Sequence, residues 1–551
     1  MMKKIFPIVL ICFLFANAAW AQVSITGKVT DNNNNPLEGA TVTEKGTNNQ
    51  SQTNEAGVFT IKVKNANSKL VATYTGFKKV EATASDGLTF KLTPGAEELT
   101  EMVVTALGIK KEKKALGASI AQISKKDIDL NPQVDFARIL TGKAPGVNIL
   151  ATSGLSGSGT NITIRGISTI TGNSQPLFVV DGVPFDATTS NGSGFTFGNN
   201  QTSRFFDIDP NNIANVEVLK SLAATTLYGE AGANGVILIT TKTGSGAPVK
   251  KKADITISHS FNVNEVANLP TYNQTYGGGF DLSAGLAFYS NWGAAFTNPG
   301  TLVPYPVAYQ NALAFPQFVG KQYQVKFYPS VQNFFRKGLS QTTSINISGS
   351  TKGFTYGANY SYLEEQGFVI NNGTRRNNFS FGGTAALANH FTLSGNISYV
   401  KSEVKGPPTS TSFGSGSTNT SIYGDVMYTP TGVDLLGLPW ENPLDRSSVY
   451  YRNANDIQNP IWTLNNAFTT DNTDRVYGNS QLKFDATKWL TLVYRIGFDN
   501  YNSLSTYSQN KGGTNAGLVS GFYQPSRGYY RTQTKNNQIW DHTFYGQFKK
   551  D

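Results

Sequence analysis

Cysteine is almost absent from this chain. Its single example among 551 residues, Cys12, sits inside an apolar run near the N-terminus with more apolar residues after it, a poor position for lipid attachment at a cleavage junction. Once that run is removed no thiol is left, so a disulfide-stapled scaffold and cysteine catalysis or ligation are excluded. Histidine is nearly as scarce: His259, His390 and His542 are dispersed, without metal-ligand spacing. There is no serine nucleophile elbow. The glycines scattered from Gly154 to Gly159 lack the Lys-Ser/Thr ending of a phosphate loop, which argues against a nucleotide site. The reading therefore assigns no catalytic residue, no cofactor and no metal, and an enzyme is the least supported class. Charged residues are only 15% of the chain, and no apolar run reaches the roughly twenty residues that a transmembrane helix needs.

What is present begins with Lys3 and Lys4, followed by the apolar run Ile5 to Phe15 and by Ala19-Trp20-Ala21. That order of positive, apolar and small residues is a secretory signal peptide, residues 1–21, cleaved near Ala21. The formal net charge is +10, with dense basic clusters at Lys110, Lys111, Lys113 and Lys114, at Lys125-Lys126 and at Lys250 to Lys252. They fall at segment junctions and read as solvated linkers, so no nucleic-acid partner is inferred. Aromatics at 12% and 55 glycines suit a β-barrel better than a helical membrane protein.

From Ile255 to Phe548 the chain repeats one pattern. In Phe354, Tyr356, Ala358, Tyr360 and Tyr362 every second residue is apolar or aromatic, and Thr355, Gly357, Asn359 and Ser361 lie between. A period of two sends the sets to opposite faces of a strand. The pattern recurs near Ile255, Ile345, Phe379, Phe391, Leu482, Leu490 and Phe544, giving about eight strands. Ser350 to Gly353, Ala388 to His390 and Ala486 to Trp489 read as tight turns. Asn264 to Ser340, Leu363 to Asn377, Ser402 to Asp474 and Asn500 to Ile539 read as long loops. An outer-membrane barrel has short periplasmic turns, long outer loops and strands of about ten residues. A soluble β-sandwich also alternates, but it seldom keeps one end of every hairpin short. On this reading Tyr360 and Leu393 face lipid, while Asn359 and Ser394 face a lumen that tolerates charge.

Three regions precede the barrel strands. Residues 22–95 read as a small β-sandwich, with alternating Val23-Ile25-Gly27-Val29, a turn cluster from Asp31 to Pro36, and strands from Val58 to Val63 and Leu70 to Tyr74. Residues 96–114 hold a short β-branched stretch, Met102-Val103-Val104-Thr105-Ala106, before a lysine-rich run; such a segment can add a strand to a partner's sheet edge. Residues 115–247 are mixed α/β, with a helix over Asp135 to Leu140 that stops at Pro145-Gly146, then strands at Val147 to Leu150, Asn161 to Arg165, Leu177 to Val180, Ala214 to Leu219 and Gly235 to Thr241.

The first region resembles the carboxypeptidase-regulatory-like sandwich, which is non-catalytic in the proteins it resembles. Three motifs in the third region are similar to the plug of TonB-dependent transporters, and more narrowly of the SusC/RagA family: Ile162-Thr163-Ile164-Arg165-Gly166-Ile167, Gln175-Pro176-Leu177-Phe178-Val179-Val180-Asp181-Gly182-Val183-Pro184, and Leu227-Tyr228-Gly229 through Asn234-Gly235 to Lys242. Met102 to Gly108 resembles that family's TonB box, and Asn459-Pro460-Ile461-Trp462 its recurrent loop motif. Glu230 and Gly232 stand where the family often has a small or basic residue and a small one.

The resemblance implies a mainly β outer-membrane protein: sandwich, TonB box and linker, plug, and from residue 248 the antiparallel strands of a transmembrane barrel. Plugged transporters have about 22 strands, so the eight seen here are an incomplete barrel, the N-terminal portion of a longer protein. It also implies import of an oligosaccharide or peptide, brought by a SusD-like surface lipoprotein and driven by TonB with its ExbB-ExbD energy supply. A surface adhesin without transport is the alternative, and it would need neither TonB box nor plug. Arg165 is expected either to pair with a wall carboxylate or to be a solvated lumen arginine, and Asp181-Gly182 to be a turn.

Overall fold

The computed structural model describes residues 23–47, 49–65, 67–74, 77–93, 102–104, 110–112, 120–124, 127–128, 134–151, 154–169, 174–188, 202–220, 222–243, 253–279, 291–297, 299–351, 353–388, 390–408, 422–451, 458–513 and 528–549. The expected signal peptide lies outside them, as do Thr105 and Ala106. The chain divides into two units, one of residues 1–103 and 110–115 and the other of the remainder.

In the first unit, β1 (Val23–Thr30), β2 (Thr41–Glu44), β3 (Gln50–Gln52), β4 (Val58–Val63), β5 (Lys69–Thr73), β6 (Val80–Thr83) and β7 (Leu88–Lys91) form two sheets, ordered β4-β1-β7 and β3-β2-β5-β6. Alternation puts Ile25, Val42, Phe59, Ile61, Leu70 and Phe90 into one shared core. The Asp31 carboxylate accepts the N–H groups of Asn33 and Asn35 at 2.8 Å, which closes the predicted turn with a local side-chain bond. β8 (Met102–Val104) and β9 (Lys110–Glu112) pair as a two-stranded sheet.

The second unit begins with an α/β domain. β10 (Ile120–Ser124), β13 (Leu177–Val180), β14 (Val183–Phe185), β15 (Ile213–Leu219) and β16 (Val236–Thr241) form a sheet ordered β10-β15-β16-β13-β14, and β11 (Val147–Ala151) pairs with β12 (Thr160–Ile164). The continuous apolar runs of β13 and β16 pair in parallel and are buried, as expected of strands covered on both faces. The helix Phe136–Ile139 is capped by Asp135, whose side chain accepts the Ala137 N–H. Phe136, Ile139, Ile162, Phe178, Phe205 and Ile237 meet in its core.

The remaining strands make one open antiparallel sheet of eight, β17 (Asp254–Asn264), β20 (Gly338–Thr351), β21 (Phe354–Gln366), β22 (Gly373–Ala388), β23 (Phe391–Gly406), β24 (Ala467–Asp485), β25 (Leu490–Gln509) and β26 (Tyr529–Phe548), in sequence order; β18 (Thr301–Pro304) and β19 (Gln322–Val325) form a hairpin inside the long connection before β20. The mainly β class and the eight expected strands are thus present. Their lengths differ from expectation: β20 to β26 run 13 to 20 residues. The connection expected to be long from Leu363 to Asn377 is only residues 367–372, because β21 and β22 continue through polar positions where alternation fades but the backbone ladder does not. The loops between β17 and β20 and between β23 and β24 remain long.

The sheet is apolar outside and polar inside, the reverse of a soluble sandwich. On β22, Phe379 and Phe381 are 51% and 46% exposed, while the intervening Ser380 is fully buried. Outward-facing Phe354, Phe391, Phe484, Trp489 and Phe548 gather at the short-turn end, with Phe391 stacked on Phe484 at 4.5 Å and Trp489 on Phe548 at 6.1 Å. A barrel's lipid band is flanked by such aromatic girdles. No helix among the described residues is long and apolar enough to cross a membrane.

Candidate functional site

The inward face of the sheet is where the α/β domain seats, and it is built of small and charged residues. Gly382 on β22 is small for a steric reason: a Cβ there would stand 2.4 Å from the Thr243 carbonyl oxygen. Gly497 on β25 likewise admits Val183, whose Cγ2 would lie 2.2 Å from an added Cβ. Glycine on the inner face therefore makes room for the α/β domain at both contacts.

Around these contacts lies a buried ionic network. Arg475 of β24 donates through Nε and Nη2 to both oxygens of Asp499 on β25, at 2.8 and 2.6 Å, and through Nη1 to Asp207 of the α/β domain at 3.1 Å. Its Nη2 also reaches the Asp186 carbonyl at 2.9 Å, and the guanidinium lies 3.4 Å from the Phe185 ring centre. Arg376 of β22 donates to the Phe206 and Ile208 carbonyls and faces Asp209 at 3.7 Å. Arg204 faces Asp207 at 3.6 Å and bonds Thr473 of β24. All six charged side chains are buried. Three guanidiniums against three carboxylates balance, as buried ions must.

The Asp181-Gly182 turn joins β13 to β14, as expected, with positive φ at both residues. The Asp181 carboxylate accepts the Thr241 N–H at 2.8 Å and its hydroxyl at 2.6 Å, and also Asn396 of β23; Asn479 of β24 donates to the Asp181 carbonyl. The enclosure pushes the Asp181 carboxyl above the usual carboxylate range, against the lowering pull of Thr241 and Asn396. Burial does the same to Asp135, opposed by its bonds to Thr160 and Ala137.

The other sequence-selected residues are placed apart from this network. Arg165, exposed and with φ of 61°, follows directly on β12, its N–H donating to the Gly146 carbonyl, and Gly166 comes next at φ of 104°. The buried pairs between wall and α/β domain described above are made by Arg376 and Arg475 of the wall. Pro176 is buried at the start of β13. Tyr228 ends the helix Leu222–Tyr228 and Gly229 turns the chain at φ of 59°. Asn234 accepts Ser168 Oγ at 2.6 Å and donates to the Gln175 carbonyl; Gly235, at φ of 93°, leaves room for Ile164. Glu230 is exposed, and Gly232 packs so closely that a Cβ would meet the Ala224 carbonyl at 2.6 Å. The sequence signal for Arg376 and Arg475 was available, since each falls on the inward parity of its strand.

Comparison with known proteins agrees with this geometry. Residues 112–236 match the TonB-dependent Receptor Plug Domain and residues 25–104 the CarboxypepD_reg-like domain. TonB-dependent receptor P26 of Formosa agariphila is 30% identical over 61% of this chain and 34% of its own length; TonB-dependent receptor SusC of Bacteroides thetaiotaomicron is 25% identical over 68% of this chain and 33% of its own. The chain thus carries a plug domain and a CarboxypepD_reg-like domain and is similar to TonB-dependent receptors of the SusC/RagA type. It spans about a third of the length of these curated relatives. The RagAB peptide importer in its open-open state superposes with a TM-score of 0.60 at 18% identity, covering 81% of this chain and 47% of that one, a likeness of fold. The α/β domain is the part of the chain that matches the plug, and the eight-stranded sheet is the wall against which it packs.

Proposed function

We propose that this chain forms part of an outer-membrane importer that takes up a large nutrient, an oligosaccharide or a peptide, by TonB-driven displacement of the plug. In this reading residues 1–21 direct secretion, 22–95 are an accessory sandwich, 96–114 carry the TonB box and linker, 115–247 are the plug, and the strands from 248 onward contact outer-membrane lipid. A SusD-like lipoprotein brings the cargo, and TonB, powered by ExbB-ExbD, pulls on Met102 to Ala106.

The observation that carries the reading is the buried Arg475–Asp207 contact, with its neighbours, between an apolar-faced wall and the domain that fills it. An adhesin has no need of a domain seated in its lumen through ions that move only together with their partners. Energy must come from outside this membrane, and the β-branched strand β8 is the segment suited to donate main-chain bonds to a partner sheet.

Proline at Val104 tests the energy link, because it removes an N–H and fixes φ without touching the distant wall. Uptake of labelled oligosaccharides and peptides by full-length Val104→Pro cells is expected to fall to background, with outer-membrane abundance and surface binding near normal. Unchanged uptake would exclude the TonB-box role.

A further inference from the structure

One residue of the plug lies in the hydrophobic core of the outer loops. The connections on the long-loop side of the wall pack into a cluster of their own, in which Tyr309, Phe315 and Tyr323 from the β17–β20 connection meet Ile422, Val426, Val433 and Leu435 from the β23–β24 connection. Leu155 belongs to that cluster and is fully buried in it. It comes from the plug connection between β11 and β12.

The residues around Leu155 fasten the same corner. Ser156 is bound at every polar atom: its N–H donates to Asn372 Oδ1 at 2.8 Å, its carbonyl accepts Asn372 Nδ2 at 3.1 Å, and its hydroxyl contacts Glu365 at 2.5 Å and Thr374 at 2.6 Å. All three partners belong to β21, β22 and the turn between them. Gly157 adopts φ of 73°, where a Cβ would stand 2.3 Å from Val404 Cγ1. Gly154 lies under the Phe368 ring, 3.0 Å from where its Cβ would be. The loop is thus held from above by apolar packing and from the side by the wall.

We propose that the 154–158 loop is a latch, by which the packing state of the outer loops sets how firmly the plug is held in its seat. The proposal rests on the importer reading for its purpose, although the latch itself is a property of the packed structure. Leu155 cannot leave without opening the loop core, because close-packed interiors yield by discrete repacking rather than by gradual deformation. By linkage the effect is reciprocal: whatever loosens the loop core loosens the plug, and a partner or cargo that favours an opened loop core favours release. Leu155 is a positioning residue in this scheme and touches no cargo.

The test uses the full-length protein in bilayers, held by an N-terminal handle under constant load, and measures the lifetime of the seated plug. Leu155→Ala is expected to shorten that lifetime about tenfold or more, since large-to-small changes in a buried site are costly, and Leu155→Met to have a smaller effect. Val426→Ala, which touches only the loop core, is expected to shorten the lifetime when Leu155 is present and to add nothing in a Leu155→Ala background. A wild-type lifetime for Leu155→Ala, or equal effects of Val426→Ala in both backgrounds, overturns the latch. Should Leu155→Ala fail to assemble, hydrogen exchange at amides 154–158 decides: faster exchange in Val426→Ala supports coupling and unchanged exchange refutes it. None of these readouts needs TonB or cargo, so loss of the importer reading through Val104→Pro would leave the latch standing or falling by itself.

Discussion

Arg475 illustrates how a single side chain can join two domains. Its guanidinium serves Asp499 on the neighbouring strand and Asp207 on the plug at once, and its removal leaves one carboxylate in excess, because Asp499 loses its paired guanidinium while Asp207 keeps Arg204. Breaking such a pair costs about 3–5 kcal/mol, whereas removing all its charges together costs far less. Arg475→Met is therefore expected to speed hydrogen exchange of the Ile237 to Ile239 amides in the full-length protein, and the double variant with Asp499→Asn, which leaves Arg204 with Asp207 and Arg376 with Asp209, to restore most of the protection. A double variant no better than the single one would mean that the ions act independently. Asp135 allows a pH test, because asparagine keeps the helix cap while deleting the charge. Burial raises the folded pKa of Asp135 above its unfolded value, so its stabilising contribution is full below the ordinary carboxylate range and is lost as pH rises through the raised pKa. Thermal unfolding of wild type relative to Asp135→Asn is expected to shift in favour of wild type as pH falls from 7 toward 4. Motif resemblance drew attention to Arg165, which lies exposed, because a motif says which residues recur and not which of them the wall encloses.

At the level of elements, alternation located all eight wall strands and their faces but not their ends. Past the apolar band both faces of a strand meet polar surroundings, so the apolar period stops while backbone pairing continues, as in Ser402 to Gly406 opposite Thr469 to Thr473. Strand parity also underdetermined what an inward position faces. Asn359 was expected to tolerate charge, yet it is buried and bonded to Asn346, so Arg there is expected to disturb packing on the inner face. Ser394, half-buried nearer the short-turn end, is the sounder control. Leu393→Arg is expected to impair assembly of the full-length protein in bilayers by about 2–4 kcal/mol, and Ser394→Arg by much less. Equal losses in folding titrations would show that the faces are misassigned.

Over the whole molecule, every connection on one side of the wall is a tight turn, while the β17–β20 and β23–β24 connections on the other side fold into a shared core with the plug's Leu155. If that core faces the cell exterior, epitope tags at Leu313, which is 83% exposed, or Leu444 are expected to be labelled in intact cells, and a tag between Ala388 and His390 only after permeabilisation. The reverse labelling would invert the topology.

The order of domains, the outward apolar pattern and the plug motifs are local properties, carried by composition, period and short runs of residues, and these the sequence determined by itself. Which arginine meets which aspartate was decided only when two segments separated by hundreds of residues closed on each other, as Asp207 and Arg475 do. Arg376, Arg475 and Arg495 share the same parity on their strands, and burial distinguishes their partners only after the plug is seated. The place of Leu155 has the same origin, since an isolated leucine in a glycine-serine stretch carries no sign of the core that will surround it. Periodicity fixes a direction relative to the backbone, whereas partnership depends on what the rest of the chain brings to that direction.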